Sequence, residues 1–312
     1  MCDIWKANRE RRELSTEELV RHLPDLRRLR LRRVVLSGGE PLMHSNLWRL
    51  CELLAGLGAG ITLLSTGLLL RRFAGEVVRW CDEVIVSLDG SPEVHDRIRA
   101  VPRAFDRLAD GVRALRESRS DQRITARCVV QRANFRDLPR IVDTARELGL
   151  DQISFLAADV SSEAFNRPGG WPEGRVAEVA LSCDDAGELG QLIELLLVEH
   201  KAAFDSRFIA EGPERMRRLG RYYRALAGGG EMPVNRCNAP WVSTVVEADG
   251  EVRPCFFHRP LGNLRQGTLG EILNSSSAVS FRRNLDVATD PICRTCVCTL
   301  NLSPWAAPSA VS

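Results

Sequence analysis

The sequence predicts an α/β protein: a parallel sheet with intervening helices, followed by a small cysteine-rich unit built on a β-hairpin. Three observations lead there. Five short apolar runs alternate with stretches of helical periodicity before residue 160. Polar residues follow most of these runs, and a parallel sheet gathers its ligand site at the carboxyl ends of its strands. Four cysteines then fall around a hairpin signal and a C-x2-C pair after residue 236.

The elements follow in order. Ser15-Thr16-Glu17-Glu18 fits a capping box, with Ser15 as N-cap and Glu18 reaching back; Leu19, Leu23 and Leu26 continue at helical spacing. Val34-Val35-Leu36 reads as a strand ending in Gly38-Gly39, followed by a helix through Leu47, Leu50, Leu53 and Leu54. The strand over 61–64 ends at Ser65-Thr66-Gly67, and a helix spans about 71–80. Residues 84–88 form a strand closed by Asp89-Gly90; 105–116 is helical, 124–130 a strand, 138–148 a helix stopped by Gly149, and 153–156 the last strand. Together 1–160 read as one parallel-sheet unit.

From 161 the pattern breaks. Residues 166–174 are rich in Pro and Gly and read as loop. A helix over 189–204 and a basic helix over 214–226, ended by Gly228-Gly229-Gly230, make 161–236 a helical bridge. In 237–300, residues 243–247 and 252–257 flank Ala248-Asp249-Gly250, a hairpin signal, and helices follow over 268–273 and 279–285. The tail 301–312, rich in Ser, Pro and Ala, is expected to fray.

The 312 residues suit one large domain or two linked ones, with 44% hydrophobic residues to build the core. A net charge of +2 argues for neither a nucleic-acid nor a membrane partner, and Arg27-Arg28 and Arg32-Arg33 read as solvated helix faces. No run approaches the roughly 20 apolar residues of a membrane span, and the first fifteen residues lack an apolar signal core. The expected location is the cytoplasm, where ten cysteines point to metal or redox use rather than disulfides.

Cys237 precedes Gly250 by twelve intervening residues, four more separate Gly250 from Cys255, and Cys293 and Cys296 form a C-x2-C pair. A hairpin that brings two cysteines together, plus such a knuckle, can supply four thiolates to one centre. The spacing does not decide zinc against iron. Cys298 is open as a spare thiol, a substitute ligand or a substrate-facing group. Cys51, Cys81, Cys128 and Cys183 are isolated and read as non-ligands.

Taken together, these residues resemble the radical S-adenosylmethionine (SAM) superfamily, specifically its members with a twitch or SPASM auxiliary-cluster domain. Met1-Cys2-Asp3-Ile4-Trp5-Lys6 looks like the end of the family's C-x3-C-x2-C loop. On that match Cys2 is the third cluster cysteine, the first two would lie three and seven residues upstream, outside this chain, and a first strand would be missing from a partial (β/α)6 radical SAM barrel. Gly38-Gly39-Glu40-Pro41 after a strand matches the GGE(P) motif that holds the SAM amino group. Ser87-Leu88-Asp89-Gly90 with His95-Asp96 and Arg99 resembles the S-[IL]-D-G…H-D…R segment, which would place Ser87 on the SAM ribose and Arg99 on its carboxylate, with Asp89 tying the loop. Thr66 is a further candidate contact, and Phe155-Leu156 would pack on the adenine. The auxiliary match covers Cys237, Gly250, Cys255, Leu261-Gly262-Asn263-Leu264, Cys293 and Cys296.

The resemblance implies one [4Fe–4S] cluster that binds SAM and one auxiliary [4Fe–4S] cluster, because the longer cysteine run of a full SPASM domain is absent. It implies reductive cleavage of SAM and hydrogen abstraction by a 5′-deoxyadenosyl radical, acting on a peptide or small natural product. An external donor such as flavodoxin or ferredoxin would supply the electron. The competing readings are a catalytically inactive truncated relative that holds only the auxiliary cluster, and a zinc-binding module.

Overall fold

The computed structural model describes residues 12–165 and 167–303, so Cys2 and the end of the tail lie outside the described residues. Helix α1 (Thr16–Arg28) starts at the expected capping box: Glu18 N donates to Ser15 Oγ at 3.1 Å and Ser15 N to the Glu18 carboxylate at 2.8 Å. The chain then runs through β1 (Arg33–Leu36), α2 (Leu47–Ala55), β2 (Gly60–Ser65), α3 (Ala74–Trp80), β3 (Glu83–Ser87), α4 (Pro92–Arg99), α5 (Ala104–Ser118), β4 (Arg123–Val130), α6 (Leu138–Glu147) and β5 (Gln152–Ala157). The strands form one sheet in the order β1-β2-β3-β4-β5, and every neighbouring pair is parallel. Parallel neighbours need a crossover, and each is supplied by at least one helix.

Strand alternation divides the sheet into two faces. Ile61, Leu63, Val84, Val86, Ile124, Ala126, Cys128, Ile153 and Phe155 share one core with Leu50, Leu54, Val77, Leu108, Val112 and Ile141 of the helices. The intervening residues face the other way and include charge. Glu83, 3% exposed, lies between Arg33 (3.7 Å) and Arg123 (3.1 Å), and Arg33 also donates to Thr62 Oγ1 at 2.9 Å. A buried carboxylate is tolerated because it is paired on both sides.

Four helices follow: α7 (Glu173–Val179), α8 (Cys183–Glu199), α9 (Lys201–Asp205) and α10 (Pro213–Leu226). They pack directly on the sheet unit, since Leu189, Ile193, Leu196, Met216, Tyr222 and Tyr223 belong to the same core. Between α9 and α10 the chain adds an isolated parallel bridge, Ile153↔Ile209, with Ile153 N donating to Phe208 O at 2.7 Å and Ala210 N to Ile153 O at 2.8 Å. This rudimentary sixth strand sits beside β5.

The C-terminal region contains α11 (Ala239–Val242), β6 (Val245–Val246), β7 (Glu251–Arg253), β8 (Gly262–Asn263), α12 (Leu269–Leu273), α13 (Ser276–Asn284) and α14 (Pro291–Arg294). The expected hairpin is present but shorter, and β8 extends it to three antiparallel strands. Gly250 turns the hairpin at φ +86°, where a Cβ would come 2.8 Å from Asn263 Oδ1. No helix among the described residues is long and apolar enough to cross a membrane.

Other elements differ from the sequence expectation. Residues 92–99, to which the sequence pattern assigned no element, form a helix started by Pro92 at its first position. Helix α8 begins at Cys183, because Ser182 and Asp185 form a capping box before the apolar periodicity starts. The first tail residues are tied down instead of frayed: Asn238 N donates to Leu300 O at 2.7 Å, and Leu302 N to Asn238 Oδ1 at 3.0 Å.

Candidate functional site

The carboxyl ends of the strands carry two linked groups. Glu40 follows β1, and its carboxylate accepts from Ser65 Oγ at 3.1 Å, Thr66 N at 2.9 Å and Thr66 Oγ1 at 2.5 Å. The glycine-rich turn is thereby fixed to the end of β2. Gly38 adopts φ +136°, and nothing lies within 4 Å of where its Cβ would be. Backbone there borders open space, which suits close approach by a ligand.

The second group follows β3. Asp89 is fully buried; it pairs with Arg99 at 2.6 Å, accepts from Val129 N at 3.2 Å, and its carbonyl accepts from Asn134 Nδ2 at 2.8 Å. Its own N–H donates to His95 Nδ1 at 3.2 Å. Burial, helped by the Arg99 charge, pushes the His95 pKa down to about 4, so the ring is neutral and accepts at Nδ1. Gly90 is required by packing, since a Cβ would fall 2.5 Å from the Val94 side chain. Ser87, at the end of β3, stands in register with Arg127 on β4.

Arg99 is thus held by Asp89, while its Nε is buried without a partner. Phe155 and Leu156 cannot share one surface: Phe155 lies in the core against the helices, and Leu156 is on the opposite pleat. Two residues near the strand ends were not visible in the sequence. Arg127 projects from β4 with its Nε buried and unpartnered. Glu211, just past the Ile153↔Ile209 bridge, accepts from Phe155 N at 2.9 Å. Burial pushes its carboxyl pKa up to about 7, against the pull of that N–H and of Arg127 and Arg215.

The C-terminal elements bring four thiols together. Cys237 lies just before α11, Cys255 just after β7, and Cys293 and Cys296 in and after α14. Burial pushes the Cys293 thiol up to about 12, with Asp290, Cys255 and Cys237 adding to the effect. The Cys296 thiol is raised by burial and by the proximity of Cys298, Cys255 and Cys237. Donors already point at the sulfurs: Ala239 N at 3.4 Å from Cys237, the Phe257 and His258 amides toward Cys255, and His258 Nε2 at 3.3 Å from Cys293. Asn235, 5% exposed, donates to the carbonyls of Cys293 and Cys296 and fixes the knuckle.

Half-buried thiols brought near one another repel as free thiolates and become favourable around a cation. The donor set suits an iron–sulfur cluster, whose ligand sulfurs stand farther apart than those around a single four-coordinate ion: among the described residues no three of these four sulfurs lie within 4.8 Å of one another. None of the nine described cysteines is in a disulfide. Cys51, Cys81 and Cys128 are buried in the core, and Cys183 is exposed, donating to Ala227 O at 2.9 Å. Cys298 is solvent-accessible, and its carbonyl accepts from the Cys296 thiol at 3.0 Å. Burial of the thiol itself pushes it up to about 11, with Asp159, Cys255 and Cys237 adding to the rise and Arg127 opposing it.

Residues 1–145 match the family model of the radical SAM superfamily, and 237–297 match SPASM, an iron–sulfur cluster-binding domain. The Fe-coproporphyrin III synthase of Methanosarcina barkeri is 27% identical over 274 residues, covering 83% of this chain and 66% of the relative. The PqqA peptide cyclase of Rhodopseudomonas palustris is 31% identical over 144 residues, covering 45% of this chain and 38% of the relative. The chain spans less than two thirds of the length of these relatives. Among solved structures, anSMEcpe with bound AdoMet superposes with a TM-score of 0.64 at 18% identity, covering 88% of this chain and 75% of that one. At that identity the likeness concerns the fold.

Proposed function

We propose that this chain, which belongs to the radical SAM superfamily and carries a SPASM iron–sulfur domain, is an enzyme that modifies a peptide or small natural product by radical chemistry. The chemistry that SAM and its cluster supply when bound is one-electron cleavage of the sulfonium and hydrogen-atom abstraction. The protein's own part is to bind, orient and exclude water. The Gly38-Gly39 backbone and the Glu40 carboxylate receive the SAM ammonium, with Thr66 fixing the carboxylate. Ser87 takes the ribose, and Arg99, held in place by Asp89, takes the SAM carboxylate. Leu156 supplies apolar contact. Cys2 would be one ligand of the SAM cluster, and Cys237, Cys255, Cys293 and Cys296 would hold a single auxiliary [4Fe–4S] cluster.

The observation that carries this reading is the convergence of four thiols in the same chain as the Glu40–Thr66 and Asp89–Arg99 pairs at the strand ends. The substrate class is supported by the relatives, one named for a coproporphyrin and one for a peptide. An external one-electron donor of the flavodoxin or ferredoxin kind completes the reaction. The test is direct. A version extended upstream to carry C-x3-C-x2-C ending at Cys2 is reconstituted with iron and sulfide, reduced with dithionite, and given SAM. It is expected to release 5′-deoxyadenosine, and Glu40→Ala and Arg99→Ala should each weaken SAM binding roughly tenfold or more, the worth of one charged hydrogen bond. A confirmed cluster with no 5′-deoxyadenosine would contradict the reading.

A further inference from the structure

The side chain that completes the sulfur surroundings is His258. It lies three residues past Cys255 and is 5% exposed. Its ring packs edge-on against Phe281, with centroids 4.9 Å apart. Nε2 is 3.3 Å from the Cys293 sulfur. The other group nearby is Asp290, whose Oδ1 is 3.8 Å from Nε2, beyond hydrogen-bond distance, and already accepts from Cys293 N at 2.9 Å. Among the described residues, the sulfur is thus the one hydrogen-bonding partner of Nε2.

We infer that His258 is a positioning residue that donates an Nε2–H hydrogen bond to the Cys293 sulfur and raises the reduction potential of the auxiliary cluster. The inference rests on the cluster reading above. The sequence C-F-F-H shows no such role, because the contact depends on the hairpin folding its far end back onto α14. The physical reason is the one that governs iron–sulfur proteins generally. A hydrogen bond to a ligand sulfur withdraws electron density from it and favours the more negative, reduced state. The backbone donors at Cys237 and Cys255 act in the same sense but are common to any side chain at those positions; His258 is the contribution that a substitution can remove.

The test uses the full chain in a Cys2→Ala background, so that the auxiliary centre alone is read, reconstituted anaerobically with iron and sulfide. His258→Phe keeps a ring against Phe281 and removes the donor; His258→Gln places an N–H at the reach of Nε2. The readouts are iron and sulfide content and the midpoint of the one-electron couple by EPR-monitored redox titration. The expected result is equal iron and sulfide in all three proteins, a more negative midpoint in His258→Phe, and partial recovery in His258→Gln. An unchanged midpoint in His258→Phe overturns the inference and leaves the cluster reading intact. Loss of iron in both variants also overturns it, by making the imidazole a ligand; His258 Nε2, an Asp290 oxygen and Cys293 Sγ do lie within 4.8 Å of one another. Uptake of zinc without sulfide by the His258 protein overturns the cluster reading and the inference together.

Discussion

Glu211 shows how much one side chain can decide. Its half-buried carboxyl accepts from Phe155 N, and the protein packed around it pushes its pKa from 4.5 up to about 7. A raised carboxyl means that the folded state holds its proton more tightly than the unfolded state. Stability from this group is therefore full below the unfolded value and lost as pH rises through the folded one, by roughly 3 kcal/mol in total. Glu211→Gln keeps an oxygen for Phe155 N and removes the titration. The thermal midpoint of the metal-free variant should vary less with pH between about 4.5 and 7 than that of the parent, and should exceed it at pH 8. Matching profiles would show that the carboxyl is not buried as described. Nothing in the sequence marks Glu211, because its burial follows from a single parallel bridge between segments more than fifty residues apart. The same holds for the Arg99–Asp89 pair: both residues were legible as candidates through their motif, but their engagement with each other is a tertiary fact. Phe155 and Leu156 were named as a pair, but adjacent strand residues point to opposite faces, so the two line different surfaces.

Among the elements, α1 has the widest role. Leu19, Leu23 and Leu26 face the main core, while Leu26 and Leu14 also contact the small core of Val252, Leu264, Leu269 and Ile272. Polar contacts follow the same seam: His22 Nε2 to Leu264 O at 3.1 Å, Glu18 to Arg265 at 2.6 Å, and Asp25 Oδ2 accepting from Gly270 N at 2.9 Å. The Gly270 N–H holds the Asp25 carboxyl below its ordinary value. Its contribution is therefore full above the unfolded value near 4 and is lost as pH falls through the lower folded value. Asp25→Ala should lower stability by about 1–3 kcal/mol at pH 7 in chemical denaturation, through loss of a charged acceptor at the start of α12. A variant as stable as the parent would mean that the seam is held by its apolar contacts alone. The capping box and leucine spacing made α1 legible, whereas its second partner was not, because a helix pattern does not say how many surfaces it covers. Helix α4 was not legible because its eight residues are mostly polar and carry no apolar stripe; His95 is the residue it buries.

At the scale of the molecule, the parallel sheet presents its polar strand ends while a hairpin and a knuckle, joined to it through α1 and the bridging helices, gather cysteines into one place. Most of this was legible because alternation of strand and helix and the spacing of cysteines are local patterns. The packing of the bridging helices onto the sheet was not, since their apolar faces name no partner. The central claim is that Cys237, Cys255, Cys293 and Cys296 together hold one iron–sulfur cluster. It is tested most directly by iron and acid-labile sulfide analysis of the anaerobically reconstituted Cys2→Ala chain, beside single Cys→Ala variants of those four residues and of Cys298. The account predicts about four iron and four sulfide per chain in the Cys2→Ala protein and in its Cys298→Ala derivative, with large losses in each of the other four. Zinc bound without sulfide, or a cluster that survives loss of any of the four cysteines but not of Cys298, would contradict it.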